Sequence, residues 1–185
     1  MSWTPLFRGV DYGKRAELLL AYLKQKPEQF DKNDPFSKGY KNILAYIVAS
    51  LCVRTEYRYI SDEAQKQLKG IPSPNYNYVY NKNGHPEYKG LTNEHTIPVS
   101  VIVDHLLDPN NGGWTADSLA DFLKKVSGIA LITTDENKRI NKAGLRNKLP
   151  DGTTLADILS GKTEHSIRYK AAKIDMAETN HDAKE

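Results

Sequence analysis

The sequence predicts an α+β fold that is mostly helical and contains a small sheet. Helical periodicity recurs in several stretches, and the most apolar of them runs from residue 35 to 51. Two short segments, 76–80 and 129–132, are instead rich in strand-forming residues. Turn-forming clusters at 81–84 and 108–113 separate the periodic segments. A chain of 185 residues has room for one domain with a sizeable core.

The first part of the chain is predicted to form three helices. A helix over 12–26 carries apolar residues on one side and stops at Pro27, which cannot continue a helix. Asp34 caps the core helix at 35–51, whose first residue is a proline. A short helix follows over 61–70, and it opens with a serine and two acids.

The remainder is predicted to alternate between strands and helices. Residues 76–80 and 88–93 are expected to pair as a hairpin around the turn at 81–84. A buried strand is expected at 129–132. Helices are predicted over 98–107, 115–126, 135–144, 155–159 and 164–173. Thr134 is a plausible N-cap of the third of these helices, so Asp135, Glu136 and Asn137 would be its first three residues. The tail after Ile174 is polar and is expected to fray.

Composition excludes several classes of protein. No apolar run approaches the roughly 18 residues of a membrane span. The first residues lack a basic region followed by an apolar core, so no secretion signal is predicted. Cys52 is the single cysteine, which rules out an internal disulfide and a cysteine zinc site. We therefore expect a cytoplasmic protein without a membrane partner.

The distribution of charge favours a polyanionic partner. Residues 1–60 carry 10 Lys or Arg against 6 Asp or Glu, and residues 134–173 carry 9 against 5. These two basic blocks flank a more acidic middle segment, which suits a nucleic acid held across a metal site. The alternative is an ordinary solvated surface of mixed charge.

Glu94 and His95 lie where a predicted strand ends, just before the helix that begins at Pro98. Proline suits the first helical position, because its missing N–H would have no partner there. The pair is therefore held at a strand end with a packed helix behind it. A carboxylate in such a turn can hold a hard metal ion, and an imidazole can take a proton from water.

Two pieces of the chain resemble the HNH, or ββα-metal (His-Me finger), nucleases. The first is the run 93–98, Asn-Glu-His-Thr-Ile-Pro, and the second is the run 132–139, whose Asn137 lies 42 positions after His95. The resemblance implies a hairpin-and-helix core at 76–148, under half of the chain. An N-terminal helical region (1–75) and a C-terminal helical extension with a frayed tail (149–185) would flank it.

The resemblance implies an endonuclease that hydrolyses DNA phosphodiester bonds with one divalent ion, Mg²⁺ or alternatively Mn²⁺. Glu94 would be the first metal ligand, His95 the general base and Asn137 the second ligand. The expected nucleic-acid contacts are Lys138, Arg139, Arg146, Arg168 and Tyr169. A restriction-type or phage-encoded enzyme, a nonspecific nuclease and a nicking enzyme are all compatible with this pattern.

Several alternatives stay open at the level of sequence. The family's middle Asn, which braces the loop bearing the catalytic His, has no clear match, and Asn110 and Asn111 are candidates by position only. His85 and His105 are alternative ligands, and Glu136 competes with Asn137. The alternative function is a non-catalytic nucleic-acid-binding module that uses the basic blocks. A structural or partner-binding helical protein is the third reading.

Overall fold

The computed structural model describes residues 11–28, 30–31, 33–53, 57–69 and 88–179. The helices are α1 (Tyr12–Leu23), α2 (Pro35–Leu51), α3 (Asp62–Gln67), α4 (Val99–Leu107), α5 (Ala116–Val126), α6 (Thr134–Lys142), α7 (Leu155–Leu159) and α8 (Ile167–Ala171). The strands are β1 (Tyr59–Ser61), β2 (Leu91–His95), β3 (Ile129–Thr133) and β4 (Met176–Glu178). The predicted α+β class is therefore confirmed, with helices forming the larger share.

The strands form one sheet in the order β2-β3-β1-β4. β3 pairs antiparallel with β2 and parallel with β1, and β1 pairs antiparallel with β4. Segments 1–75 and 149–185 each contribute one strand to this sheet, and segment 76–148 contributes two. The sheet is therefore built from all three predicted regions.

Two short strands were not predicted from the sequence. Residues 59–61 follow the basic and aromatic end of the second predicted helix, and residues 176–178 belong to the tail that was expected to fray. The frayed-tail prediction is wrong for β4, since Met176 and Ala177 pair with β1 and are half-buried. Three-residue strands are too short to show alternation, so their pairing with neighbours decides their conformation.

Strand β2 takes part in a long-range pairing that the sequence did not predict. It pairs with β3, with Leu91 opposite Thr133 and His95 opposite Ile129. Residues 76–80 lie outside the described residues, so the hairpin expected there stays a prediction. Helices α4 and α5 lie in the connection between these two strands, as predicted. The sheet end that carries Glu94 and His95 is therefore built from segments more than 30 residues apart in sequence.

Both faces of the sheet are covered by helices. On one face, Ala130 and Ile132 pack with Ile140 of α6 and Tyr169 of α8. On the other face, Ile129 and Leu131 belong to a cluster that includes residues of α3. Side chains alternate between the two faces along β3, and directly paired residues share a face. Each residue of β1 or β2 that pairs with β3 can therefore be assigned to one face.

A helical bundle packs beside the sheet and has its own core. Helix α1 contacts α5, and α2 contacts α4. Fully buried positions in this core are Ala16, Leu19, Leu44, Val48, Ile102, Val103, Leu119 and Leu123. Among the residues that the structure describes, no helix combines the length and the apolar character needed to cross a bilayer.

Candidate active site

Glu94 and His95 are the last two residues of β2, and their side chains leave opposite faces of the sheet. Glu94 pairs with Ala130, whose side chain belongs to the α6 and α8 face, whereas His95 pairs with Ile129 on the α3 face. In the described sheet β2 is an edge strand. A ligand that lies along this edge could therefore meet Glu94 from one face and His95 from the other.

Arg168 holds this end of β2 through several hydrogen bonds. Its side chain is fully buried, at 0% exposure. The Nη2 donor lies 2.7 Å from Oε1 of Glu94 and 2.5 Å from the backbone oxygen of His95. The Nη1 donor reaches the backbone oxygen of Leu145 at 3.2 Å and that of Arg146 at 3.4 Å. One guanidinium thus joins the end of β2 to the loop after α6, with the planar fork that suits such multiple contacts.

This burial gives Arg168 and Tyr169 a different role from the predicted contact with nucleic acid. Both side chains are at 0% exposure, and a phosphate outside the protein cannot reach them in this conformation. The Tyr169 hydroxyl instead lies 3.4 Å from the backbone oxygen of His95. In this structure both side chains face inward and support the strand end, and direct phosphate contact by them stays a prediction.

Asn110 and Asn111, the two candidates by position for the loop-bracing asparagine, bond elsewhere. Asn111 donates through Nδ2 to the backbone oxygen of His105, at 3.2 Å, and Asn110 bonds to Asp108. Both asparagines therefore order their own turn within residues 105–111. Sequence reasoning missed the Arg168 brace because 73 residues separate this arginine from His95 and no local pattern links them.

His95 is partly buried, and this burial controls its charge. Desolvation, with a further contribution from the cationic Arg168, lowers the pKa of His95 from 6.5 to about 4. The imidazole is therefore neutral near pH 7. A neutral imidazole is the form that can accept a proton.

Helix α6 begins one residue earlier than predicted, and this places Glu136 in the capping box at its N-terminus. Thr133, rather than Thr134, is the N-cap, and Glu136 completes a capping box with it. The Glu136 side chain is 2% exposed and accepts hydrogen bonds from Ser61 Oγ at 2.6 Å and from the Thr133 backbone at 2.7 Å. The Glu136 carboxylate is thus already engaged in hydrogen bonds with β1 and with the start of α6.

Asn137 lies on the other side of α6. Glu136 and Arg139 point toward β1 and toward Lys173, whose backbone oxygen accepts a bond from Arg139 at 3.1 Å. Successive helical residues are about 100° apart, so Asn137 and Asn141 project from the side of α6 opposite to Arg139, and α6 as an element contacts β2. The Glu94 carboxylate is on the same face of the sheet. Asn141 was not singled out from the sequence, although it follows Asn137 by one helical turn.

The predicted basic contacts are separated by the structure. Arg146 is exposed, and its backbone lies within reach of Arg168, so it belongs to the neighbourhood of Glu94. Lys138 is on the outer side of α6 and pairs with Asp135 at 2.8 Å. Arg139 lies on the β1 side, 3.5 Å from the Glu136 carboxylate. Of these three, Arg146 is the one whose backbone contacts Arg168, the partner of Glu94.

Of the two alternative histidine ligands, the one that the structure describes, His105, does not join this group. His105 is half-buried in the helical bundle, where its ring stacks on Phe122 with a centroid distance of 5.2 Å. His85 lies outside the described residues. Among the residues that the structure describes, no three His, Cys, Asp or Glu side chains converge in a way that could hold a metal. The predicted ligands Glu94 and Asn137 are a carboxylate and an amide, so they do not form such a group of three.

In comparisons with known proteins, no family model, no curated protein and no solved structure matches the chain.

Proposed function

We propose that this protein is a metal-dependent endonuclease that hydrolyses phosphodiester bonds in DNA, with its active site at the end of β2. The observation that carries the proposal is the arrangement around Arg168. This buried side chain holds the Glu94 carboxylate and the His95 backbone at once. A carboxylate and an imidazole on adjacent residues at the edge of the described sheet have the chemistry that metal-assisted hydrolysis requires.

The order of the elements supports this proposal. β2 and β3 form an antiparallel pair, and α6 follows β3 directly and contacts both strands. This is the strand, strand, helix order of the nuclease family that residues 93–98 and 132–139 resemble. The long connection that contains α4 and α5 departs from the common pattern of that family.

The residues at this edge have the chemistry that a Mg²⁺ ion prefers. Glu94 would supply a carboxylate oxygen and Asn137 an amide oxygen, both of which are hard ligands. Arg168 occupies Oε1 of Glu94, and the described residues offer no donor to Oε2. A bound ion would neutralise negative charge on the phosphodiester during hydrolysis. The adjacent guanidinium would weaken the attraction for a cation, so we expect modest metal affinity.

The protein side chains then have distinct tasks. Arg168 orients Glu94 by a charge-assisted hydrogen bond, as partners of metal ligands commonly do. His95 is neutral at physiological pH and would take the proton from the attacking water. Its pKa of about 4 makes it a weak base, so the fixed position of the ring matters more than its basicity. Arg146, on the loop joined to Arg168, would contact a phosphate oxygen.

A plasmid-nicking assay tests the proposed function. Supercoiled DNA is incubated with the protein in Mg²⁺, in Mn²⁺ and in EDTA. We expect conversion to nicked or linear DNA with either metal and none in EDTA. Salt-sensitive DNA binding without cleavage in any metal would contradict the proposal and favour a non-catalytic binding module, the second candidate, which the exposed cations Arg146 and Lys138 support.

A further inference from the structure

A cavity of about 500 Å³ opens on the β1 and β4 side of α8 and contains none of the residues predicted from the sequence to form the site. Strand β1, the first turn of α8 and the segment after α7 form its walls. Side chains with functional groups that line it include Arg58, Tyr59, Lys125, His165, Lys170 and Glu178.

The register of the sheet fixes the position of this cavity relative to Glu94. Ala130 pairs with Glu94 on one side and with Tyr59 on the other, so these three residues form a row across β2, β3 and β1. Directly paired residues share a face of the sheet. Two strand spacings amount to about 10 Å. The cavity therefore begins about 10 Å from the candidate active site, on the same face and on the opposite side of α8.

Arg58 is held in place at the wall of this cavity. Its backbone N–H donates to the Ile129 backbone oxygen at 2.8 Å, and its Nη1 lies 3.3 Å from Nε2 of His165. The guanidinium carbon also lies 5.9 Å from the centre of the Tyr59 ring. Its Nε atom is shielded and has no hydrogen-bond acceptor among the described residues. The guanidinium thus has a fixed position at the cavity wall.

His165 connects this arginine to the residue that follows the catalytic candidate. Its side chain is buried, at 8% exposure, and its Nδ1 lies 3.4 Å from Thr96 Oγ1. Thr96 directly follows His95 and donates to the Gly128 backbone oxygen at 3.3 Å. A continuous set of polar contacts therefore links the end of β2 to the cavity wall.

The balance of charge in the cavity favours an anion. Lys170 pairs with Glu164 at 2.5 Å, and Ser166 also donates to that carboxylate, so Glu164 is already compensated. This leaves the cations Arg58 and Lys125 against the single carboxylate of Glu178. An ordered guanidinium with a second cation nearby is the donor arrangement that binds phosphate oxygens.

We propose that this cavity is a phosphate-binding subsite for the nucleic-acid strand, which rests on the proposed function. Arg58 and Lys125 would hold a phosphodiester group that lies away from the cleaved bond. An axial rise of about 3.4 Å per nucleotide places that group about three nucleotides from the bond at Glu94. Binding there would position the strand over α8.

The test measures DNA binding in EDTA, where no cleavage is expected, together with nicking kinetics in Mg²⁺. Anisotropy of a labelled duplex is recorded over a salt series for the wild type, Arg58→Gln, Arg58→Lys and Lys125→Gln. Lys38→Gln, an exposed lysine on α2, is the charge-matched control. We expect the slope of log affinity against log salt to fall by about 0.9 per lost contact in the two cavity Gln variants. Arg58→Lys should keep most of the slope, and Lys38→Gln should match the wild type.

Nicking kinetics provide the second readout. The two cavity Gln variants should raise KM several-fold and leave kcat unchanged, because the subsite lies away from the reacting bond. Wild-type slope and KM in both Gln variants would overturn the subsite, even if the wild-type protein nicks DNA. Lys125 is exposed, so its variant gives a result even if Arg58→Gln fails to fold.

Two further results separate the subsite from the proposed function. Reduced salt slopes in a protein that never nicks DNA would support the subsite and contradict the nuclease. The wild type and Arg58→Gln are also melted in inorganic phosphate. A stabilisation that only the wild type shows, with DNA slopes unchanged in all variants, would make this a pocket for small anions and overturn the nucleic-acid assignment.

Discussion

The Nη2 atom of Arg168 lies 2.7 Å from Oε1 of Glu94, and this contact links the interior of the protein to its candidate metal ligand. The arginine is fully buried, whereas the Glu94 side chain keeps 21% of its exposure. A buried guanidinium requires a partner, and a partly exposed carboxylate keeps an accessible oxygen for a ligand. The same ion pair therefore compensates the buried guanidinium and orients the candidate site.

A double-mutant cycle tests the strength of this pair. Glu94→Gln, Arg168→Met and the double variant are unfolded in urea. We expect a coupling free energy within the range of about 0.5–3 kcal/mol found for contacting residues, and in its upper half. The pair Lys138 and Asp135, which is exposed on α6, is the matched control and should couple by less than about 1 kcal/mol. Equal coupling in the two cycles would show that burial adds nothing to the Glu94 contact.

Glu136 and Asn137 should respond to substitution in opposite ways. Glu136→Ala removes a capping box and a buried acceptor, so it should destabilise the protein by about 1–3 kcal/mol while metal dependence is kept. Asn137→Ala should leave stability nearly unchanged and lose most of the nicking activity, with partial recovery at high Mg²⁺ or Mn²⁺. Melting curves and a metal titration of nicking measure the two effects.

Asn141→Ala is the control for this comparison, since Asn141 lies on the same side of α6. A shift in metal dependence for Asn141→Ala but not for Asn137→Ala would move the second ligand by one turn. A shift for Glu136→Ala alone would restore Glu136 as the ligand.

Among the basic residues, we expect Arg146 to contribute most to DNA affinity. Arg146→Ala should lower the slope of log affinity against log salt by about 0.9, the value for one phosphate contact. Lys138→Ala and Arg139→Ala should have smaller effects, since these side chains pair with Asp135 and Glu136 away from Glu94. Anisotropy in EDTA over a salt series checks the ranking, and an unchanged slope in all three variants would remove this basic block from the interface.

His105 should make stability depend on pH. Burial lowers the pKa of His105 below its ordinary value of 6.5, although Asp108 acts in the opposite direction. Below pH 6.5 the unfolded chain therefore takes up a proton more readily than the folded protein. The stability contributed by the neutral ring is complete above this pH and is lost as the pH falls, by at most about 1.4 kcal/mol per pH unit.

Urea unfolding between pH 7.5 and pH 5 measures this effect. The slope of unfolding free energy against pH should be smaller for His105→Gln than for the wild type. Identical slopes would show that the ring stacked on Phe122 titrates normally.

The helices could be predicted from sequence because their signals are local. Asp34 and Pro35 start α2 as expected, and Thr115 caps α5. The strands β1 and β4 could not be predicted, since three residues carry no periodicity and their conformation depends on partners more than 40 residues away. The same limit applies to the tertiary contacts around the site. Glu94 and His95 form a local motif, whereas Arg168 and Arg58 reach it through tertiary contacts alone.

The cap of α6 shows how a small shift changes a functional assignment. Thr134 and Thr133 are equally suitable caps by residue type. Thr133 takes the role because Glu136, three residues later, can reach back to its backbone N–H and also accept from Ser61. The residue types of a capping box are present in the sequence, but Glu136 could equally have been a metal ligand. The contact between Ser61 and Glu136, which only the tertiary structure shows, favours the capping role.

Single-turnover cleavage by His95→Ala tests the central claim most directly. The wild type, His95→Ala and the control His105→Gln are mixed with supercoiled DNA at saturating protein and Mg²⁺, and folding and DNA binding are measured on the same samples. We expect His95→Ala to bind DNA and remain folded but to lose cleavage by a factor of 100 or more, within the range of about 10²–10⁴ for a general base. His105→Gln should cleave at close to the wild-type rate. Cleavage by folded His95→Ala within a few-fold of the wild type would contradict the assignment of His95 as the base, and with it the proposed active site at the end of β2.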